Sequence, residues 1–329
     1  MTIDFEKIGR YTLTGLEKAG TAAGKLALSA GKTALKASGK AVVKCAKLAA
    51  DGIKKTPPEV LAIAAGVAVG AAVLPVVMAA PGKADEEQKA PFMGRNFAHR
   101  GLHSQDRKVP ENSLTAFDLA AGAGYGMELD VQLSRDGQVV VFHDDDLKRV
   151  CGVDKRVDEL TFSELRELRL CGTEEKIPLF VEVLATVAGR TPIIVELKTG
   201  RRNRELCEKT YEILRCYDGE TCIESFDPFI VGWFRVHAKE MLRGQLSDSV
   251  KGFGDGLPKF RAWVLSHTLL NFISRPQFIA YSLDKKPLTV RLCIRMGAMN
   301  VVWTSRDVRN EKGKDAVIFE FYRPQRKFK

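Results

Sequence analysis

Beyond residue 82 the chain alternates short apolar runs with stretches of helical spacing, the pattern of an α/β domain built on a mostly parallel sheet. Candidate strands cover 96–98, 127–131, 139–142, 193–197, 221–224, 243–246, 278–282, 300–303 and 316–319. Nine runs are one more than an eight-stranded barrel needs. Only residues 132–138 separate the second run from the third, too few for a parallel crossover of about a dozen residues, and Asp136-Gly137 at their centre signals a hairpin. With Asp136-Gly137 as a two-residue turn, Arg135 faces Gln138, and counting outward Asp130 faces His143. The expected fold is a TIM-type (β/α)8 barrel over residues 92–329 with an added β-hairpin.

Ahead of the barrel the pattern changes twice. Residues 83–91 (GKADEEQKA from Gly82) are short and polar and predict a linker. Residues 60–82 contain no charged side chain, which makes 57–82 a hydrophobic membrane segment; a buried hairpin helix is the other reading of the same run. Over 1–56 the lysines at 25, 32, 36, 40, 44, 47 and 54 recur at helical steps and form one basic stripe. That predicts an amphipathic helix lying on an acidic membrane, with a soluble, frayed helix as the alternative because Gly20, Gly24, Gly31 and Gly39 weaken it.

Charge sharpens this division. Residues 1–58 hold eleven Lys/Arg against four acids, so the rest of the chain contributes only +3 of the net +10. A basic tail without aromatic interleaving, and with Arg10 as its only arginine, suits a lipid headgroup surface and argues against a nucleic-acid partner. The excess of lysines before the apolar run places the tail in the cytoplasm and the barrel outside, as a single-pass membrane-associated protein. The seven cysteines include no CxxC pair, which removes a zinc or thioredoxin signature and leans slightly toward a reducing compartment.

Polar residues gather where the strands end. His99 and Arg100 close the first run, Glu128 and Asp130 lie two apart on the second, His143 ends the hairpin, and Glu196 and Lys198 end the fourth run. Three carboxylates meeting at one point repel each other unless a cation sits among them, and hard oxygen donors favour Mg2+ or Ca2+ over zinc. Two histidines beside that cation supply a general base and a general acid, and Arg100 and Lys198 supply charge for a phosphate.

The ordered set FAHRG, PENS (110–113), ELDVQLSRDGQVVVFHD (128–144), IPLFVEVL (177–184), VELK (195–198), SFD (225–227) and Trp303-Thr304 resembles the glycerophosphodiester phosphodiesterase family. The resemblance implies a barrel holding a divalent metal on Glu128, Asp130 and Glu196. It also implies His99 and His143 as the acid/base pair, with Arg100 and Lys198 near the phosphate, and cleavage of a glycerophosphodiester to glycerol phosphate and an alcohol; the membrane tether adds lysophospholipids as a second expected substrate. A lysophospholipase D-like or phosphoinositide-directed lipase, and a non-catalytic membrane scaffold, are the alternatives. Glu111 and Asn112 are candidate substrate contacts, although Asn112 or Ser113 serves equally as a helix cap. Trp303 is a candidate to stack on the glycerol or lipid moiety or to pack in the core. His103, His237 and His267 are expected to be ordinary histidines and Asp144–Asp146 a solvated acidic loop. Residues 247–276 match the family least and are where substrate preference would reside.

Overall fold

The computed structural model describes residues 73–328. The basic helix expected over 1–56 and most of the apolar segment expected over 57–82 lie outside the described residues. Among the described residues no helix is long and apolar enough to cross a membrane.

The unit that begins at Ala80 is a closed barrel. Its strands are β1 (Arg95–Ala98), β2 (Gly126–Leu133), β3 (Val139–Val141), β4 (Ile193–Leu197), β5 (Thr221–Ser225), β6 (Leu242–Ser247), β7 (Phe278–Ser282), β8 (Met299–Ser305) and β9 (Ala316–Phe319). Eight of them are parallel, in the order β1-β9-β8-β7-β6-β5-β4-β2, and pairing of β1 with β2 closes the ring. All nine strand candidates are present, with bounds displaced by a residue or two.

Period-two alternation sorts the side chains. Leu129, Val131, Val195, Leu197 and Ile223 point outward and pack against α1 (Leu114–Ala123), α2 (Phe180–Val187), α3 (Asn203–Leu214) and α4 (Pro228–His237). Inside, Phe97, Ile194, Cys222, Leu242, Phe278 and Met299 fill the lower barrel. Two residues further along β4 and β5 the inward positions are Glu196 and Glu224, so the interior turns from apolar to charged at the C-terminal strand ends. That is the end where barrels of this class carry their sites.

The polar stretch expected as a linker docks under the other end. Asp85 caps the short helix Glu86–Lys89 in a capping box, Gln88 donates to the Glu240 carbonyl (3.0 Å), and Gln277 donates to the Lys83 carbonyl (2.7 Å). Phe92 then stacks on Phe97 with ring centroids 6.1 Å apart.

The hairpin forms, but one residue out of the expected register. Val131 pairs with Val141 and Leu133 with Val139, so the loop has three residues, Arg135 to Gly137, and Phe142 rather than His143 lies opposite Asp130. The cause is local. Gly137 takes φ +78° as the last loop residue, the Ser134 hydroxyl accepts from the Gln138 amide (2.9 Å), and a type I turn ending in a left-handed glycine results. His143 therefore follows the end of the strand instead of sitting on it.

Candidate active site

The site residues come from the strands and from the loops at their C-terminal ends. Glu128 and Asp130 face inward from β2 and Glu196 from β4, with Asp130 in register with Glu196. Their carboxylate oxygens lie within 4.8 Å of one another, and all three residues are buried. Asp130 faces Lys198 Nζ (3.3 Å) and Arg100 Nε (3.5 Å), and Lys198 also meets Glu196 (2.8 Å). Glu128 accepts from the backbone amide of Arg100 (3.1 Å). Arg100 and Asn112 both hold left-handed backbone conformations, φ +54° and +55°, in the two loops that converge on Asp130. Gly101 is needed beside Arg100: its φ is +78°, and a Cβ there would stand 2.8 Å from the Ala116 backbone.

Asn112 and Ser113 divide the roles that were open between them. The Ser113 hydroxyl caps α1 by accepting from the Ala116 amide (3.1 Å), and Asn112 donates to Asp130 Oδ2 (2.9 Å). Glu111 pairs with Arg100 (2.7 Å).

Three acids in one buried pocket divide unequally. Burial raises Asp130, but Lys198, His143 and Arg100 overturn that and hold it well below the usual carboxylate range. Glu128 is pushed well up by burial and by Asp130 and Glu196, and Glu196 is raised chiefly by burial. Lys198 loses charge preference through burial yet stays above its ordinary value because Glu196 and Asp130 flank it. Buried, hard-oxygen and mutually repelling, this donor set fits a divalent cation, with no thiolate among it.

The imidazoles sit on either side. His99 Nδ1 bonds Glu320 Oε2 (3.1 Å) while its Nε2 stands 4.0 Å from Glu128. Burial lowers His99 to about 4 despite the Glu320 contact, so its ring is neutral near pH 7. His143 Nδ1 bonds Asp144 Oδ1 (2.7 Å). His103, expected to be ordinary, lies beside this pair: its Nδ1 bonds the His99 carbonyl (3.0 Å) and its Nε2 is 3.8 Å from Glu320. His237 and His267 do behave as ordinary residues, each bonding a tryptophan carbonyl four residues back. Asp144 is no free loop residue, for it binds both His143 and Arg149, whereas Asp145 and Asp146 are exposed.

Sequence reasoning missed three participants. Glu320, the residue after β9, orients His99. Arg149 bridges Glu111 and Asp144. Glu224, in register with Glu196, is 1% exposed, and its Oε2 has no hydrogen-bond partner. Burial and the Glu196 and Asp130 charges push Glu224 well above the usual range. A carboxylate ending an apolar run was the signal that found Glu196, and it was equally present at Glu224. On the far side of the mouth Trp303 meets Phe226 edge-on (5.7 Å), Phe226 meets Phe253 (5.8 Å), and Trp303 Nε1 is buried without a partner. Trp303 also lines a cavity of about 470 Å³ with Asp248, Lys251, Leu283 and Asp284.

The sequence profile of the Glycerophosphoryl diester phosphodiesterase family matches residues 99–321, about two thirds of the chain. The chain belongs to that family. Its matched span runs from His99 to Phe321 and so includes every carboxylate and imidazole of the site. A lysophospholipase D of Rattus norvegicus is 33% identical over 153 residues, 43% of this chain and 47% of that protein. A glycerophosphodiester phosphodiesterase of Bacillus altitudinis is 36% identical over 113 residues, 32% of this chain and 45% of that protein. The match thus spans about half the length of these relatives. An Oleispira antarctica phosphodiesterase, solved with its product sn-glycerol-3-phosphate, superposes with a TM-score of 0.57 at 23% identity over 70% of this chain and 94% of that one, and shares the barrel.

Proposed function

We propose that the chain is a metal-dependent phosphoric diester hydrolase that cleaves glycerophosphodiesters to glycerol phosphate and an alcohol. The observation that carries this is the convergence of Glu128, Asp130 and Glu196 within 4.8 Å, flanked by two imidazoles and by the cations Arg100 and Lys198. Glu128, Asp130 and Glu196 would hold Mg2+ or Ca2+, which supplies charge neutralisation at the phosphoryl oxygens when bound. Neutral His99, its Nδ1–H held by Glu320, presents Nε2 to the site and takes the proton of the attacking glycerol hydroxyl. His143, held at Nδ1 by Asp144, protonates the leaving alcohol as its P–O bond breaks, which leaves a cyclic glycerol phosphate; water, giving its proton to His143, then opens that ring to glycerol phosphate as His99 returns its proton to the glycerol oxygen. Arg100 and Lys198 orient the phosphate, Glu111 holds Arg100, and Asn112 holds Asp130. Trp303 faces the alcohol or acyl portion of the substrate.

The lysophospholipase D among the relatives favours a second substrate class, lysophospholipids. The aromatic group Phe226, Phe253 and Trp303 offers an apolar wall for their chain. The basic tail and the apolar segment would hold the enzyme on an anionic membrane, where such substrates reside; co-sedimentation with phosphatidylserine vesicles, lost on deleting residues 1–72, tests that part.

The test of the activity is hydrolysis of glycerophosphocholine and lysophosphatidylcholine by the full chain with Mg2+, Ca2+ or EDTA, beside Glu128→Ala. Metal-dependent release of the alcohol, abolished in the variant, supports the reading. No release from either substrate under any metal overturns it.

A further inference from the structure

Arg149 stands on the short helix Lys148–Cys151, outside every motif that carries the chemistry. Its guanidinium grips two carboxylates at once. Nη1 and Nη2 donate to the two oxygens of Glu111 (2.7 and 2.6 Å), while Nε and Nη2 donate to the two oxygens of Asp144 (2.6 and 3.1 Å). Each of those carboxylates spends its other contact on a site residue: Glu111 Oε1 accepts from Arg100 Nη1 (2.7 Å), and Asp144 Oδ1 accepts from His143 Nδ1 (2.7 Å). The result is an unbroken chain His143–Asp144–Arg149–Glu111–Arg100. Its two ends belong to different strand-end loops and contribute different functions, a proton and a phosphate-directed charge.

We propose that Arg149 is a positioning residue that fixes the imidazole of His143 relative to the guanidinium of Arg100 across the mouth of the barrel. A surface ion pair placed only for stability would have no reason to choose partners that both already hold site residues. The fork geometry matters as much as the charge. Two bidentate grips on carboxylates set at an angle need a planar guanidinium, and a lysine ammonium at the same place cannot make them. Without Arg149, Asp144 keeps His143 only by a single contact on a loop, and Glu111 and Asp144 face each other as unbridged carboxylates. A displacement of about 1 Å between groups that must act together costs on the order of 100-fold in rate.

The inference rests on the phosphodiesterase reading, and its test separates the two. Steady-state kinetics of the full chain on glycerophosphocholine are measured for wild type, Arg149→Gln, Arg149→Lys, Asp144→Asn and the Arg149→Gln/Asp144→Asn pair. Melting and Mn2+ binding are followed in parallel. Arg149→Gln should lower kcat about 30- to 100-fold with KM changed less than about threefold and Mn2+ affinity unchanged. Arg149→Lys, which keeps the charge, should remain at least about tenfold down, and the pair should lose little more than the worse single variant. Full kcat in either Arg149 variant, or losses that multiply in the pair, would overturn the proposal. The imidazole 15N resonances of His143, assigned with His143→Gln, are read whether or not turnover is seen. At a pH high enough for the ring to be neutral, wild type should show one tautomer with the proton on Nδ1, and Arg149→Gln a mixture; identical spectra refute the positioning role. Inactive wild type with the expected spectral change would instead refute the substrate reading alone.

Discussion

One register row starts at the mouth of the barrel and, because the strands are tilted and staggered, descends to its floor, and its two halves differ completely. On β2, β4 and β5 the row reads Asp130, Glu196, Glu224; on β6, β7 and β8 it continues Gly244, Phe278, Met299. The first half buries three acids: Lys198, His143 and Arg100 hold Asp130 low, while burial first and Asp130 among the neighbouring charges raise Glu196 and Glu224, which a bound cation would relieve. The second half packs without any such help: the Phe278 ring fills the space beside Gly244, where an added Cβ would lie 2.0 Å from it. On the proposed reading, chemistry common to all substrates belongs to the acidic half, and the half that carries Trp303 and the loop from Asp248 would meet whatever differs between substrates.

The sharpest break should come from the acidic half. Glu128→Ala removes one of three cation donors, and kcat on glycerophosphocholine should fall by at least about a thousandfold, with Mn2+ affinity falling alongside. Loss of turnover with intact metal binding would mean that the three acids do not form the cation site.

The apolar half should break by packing instead. Gly244→Ala pushes a methyl into the Phe278 ring and should cost about 1–3 kcal/mol, seen as a fall in melting temperature. Gly122→Ala is the control, because nothing lies within 4 Å of its added Cβ at an exposed position of α1, and it should stabilise by about 0.5–1 kcal/mol. Equal effects at the two glycines would contradict the tight packing of that half. Smaller still is the effect on selectivity. Trp303→Ala should leave metal affinity alone and shift the ratio of kcat/KM between lysophosphatidylcholine and glycerophosphocholine by about tenfold. An equal loss on both substrates would make Trp303 a packing residue.

How much of this could be read beforehand depended on whether the signal was local. The strands were legible because short apolar runs such as Ile193–Val195 and Val139–Phe142 stand between stretches of helical spacing, and the acid–histidine set because its members lie within or just after such runs. The hairpin was legible as a hairpin, but its register turned on a side-chain contact, Ser134 Oγ with the Gln138 amide, that Asp136-Gly137 alone does not disclose. Arg149 and Glu320 were illegible for a different reason. Arg149 lies 38 residues from Glu111, and Glu320 lies 221 residues from His99, so only the closed ring brings them together.

Glu224 offers the finest test of the comparison, since it is the last acid before the row turns apolar. Its folded-state proton affinity is raised above the ordinary 4.5, by burial first and by Glu196 and Asp130 next. Below pH 4.5 the carboxyl is neutral in both folded and unfolded chains and costs nothing. As the pH rises the unfolded chain ionises first, and stability drains away toward the folded value. Glu224→Gln cannot ionise, so in EDTA its melting temperature should exceed that of wild type by a margin that grows from pH 4 to pH 8. An advantage of about 1–2 kcal/mol at pH 8 corresponds to roughly 2–8 °C for a domain of this size. If wild type were instead the more stable at pH 8, Glu224 would have a partner that offsets its charge, and the acidic half would be balanced without a cation.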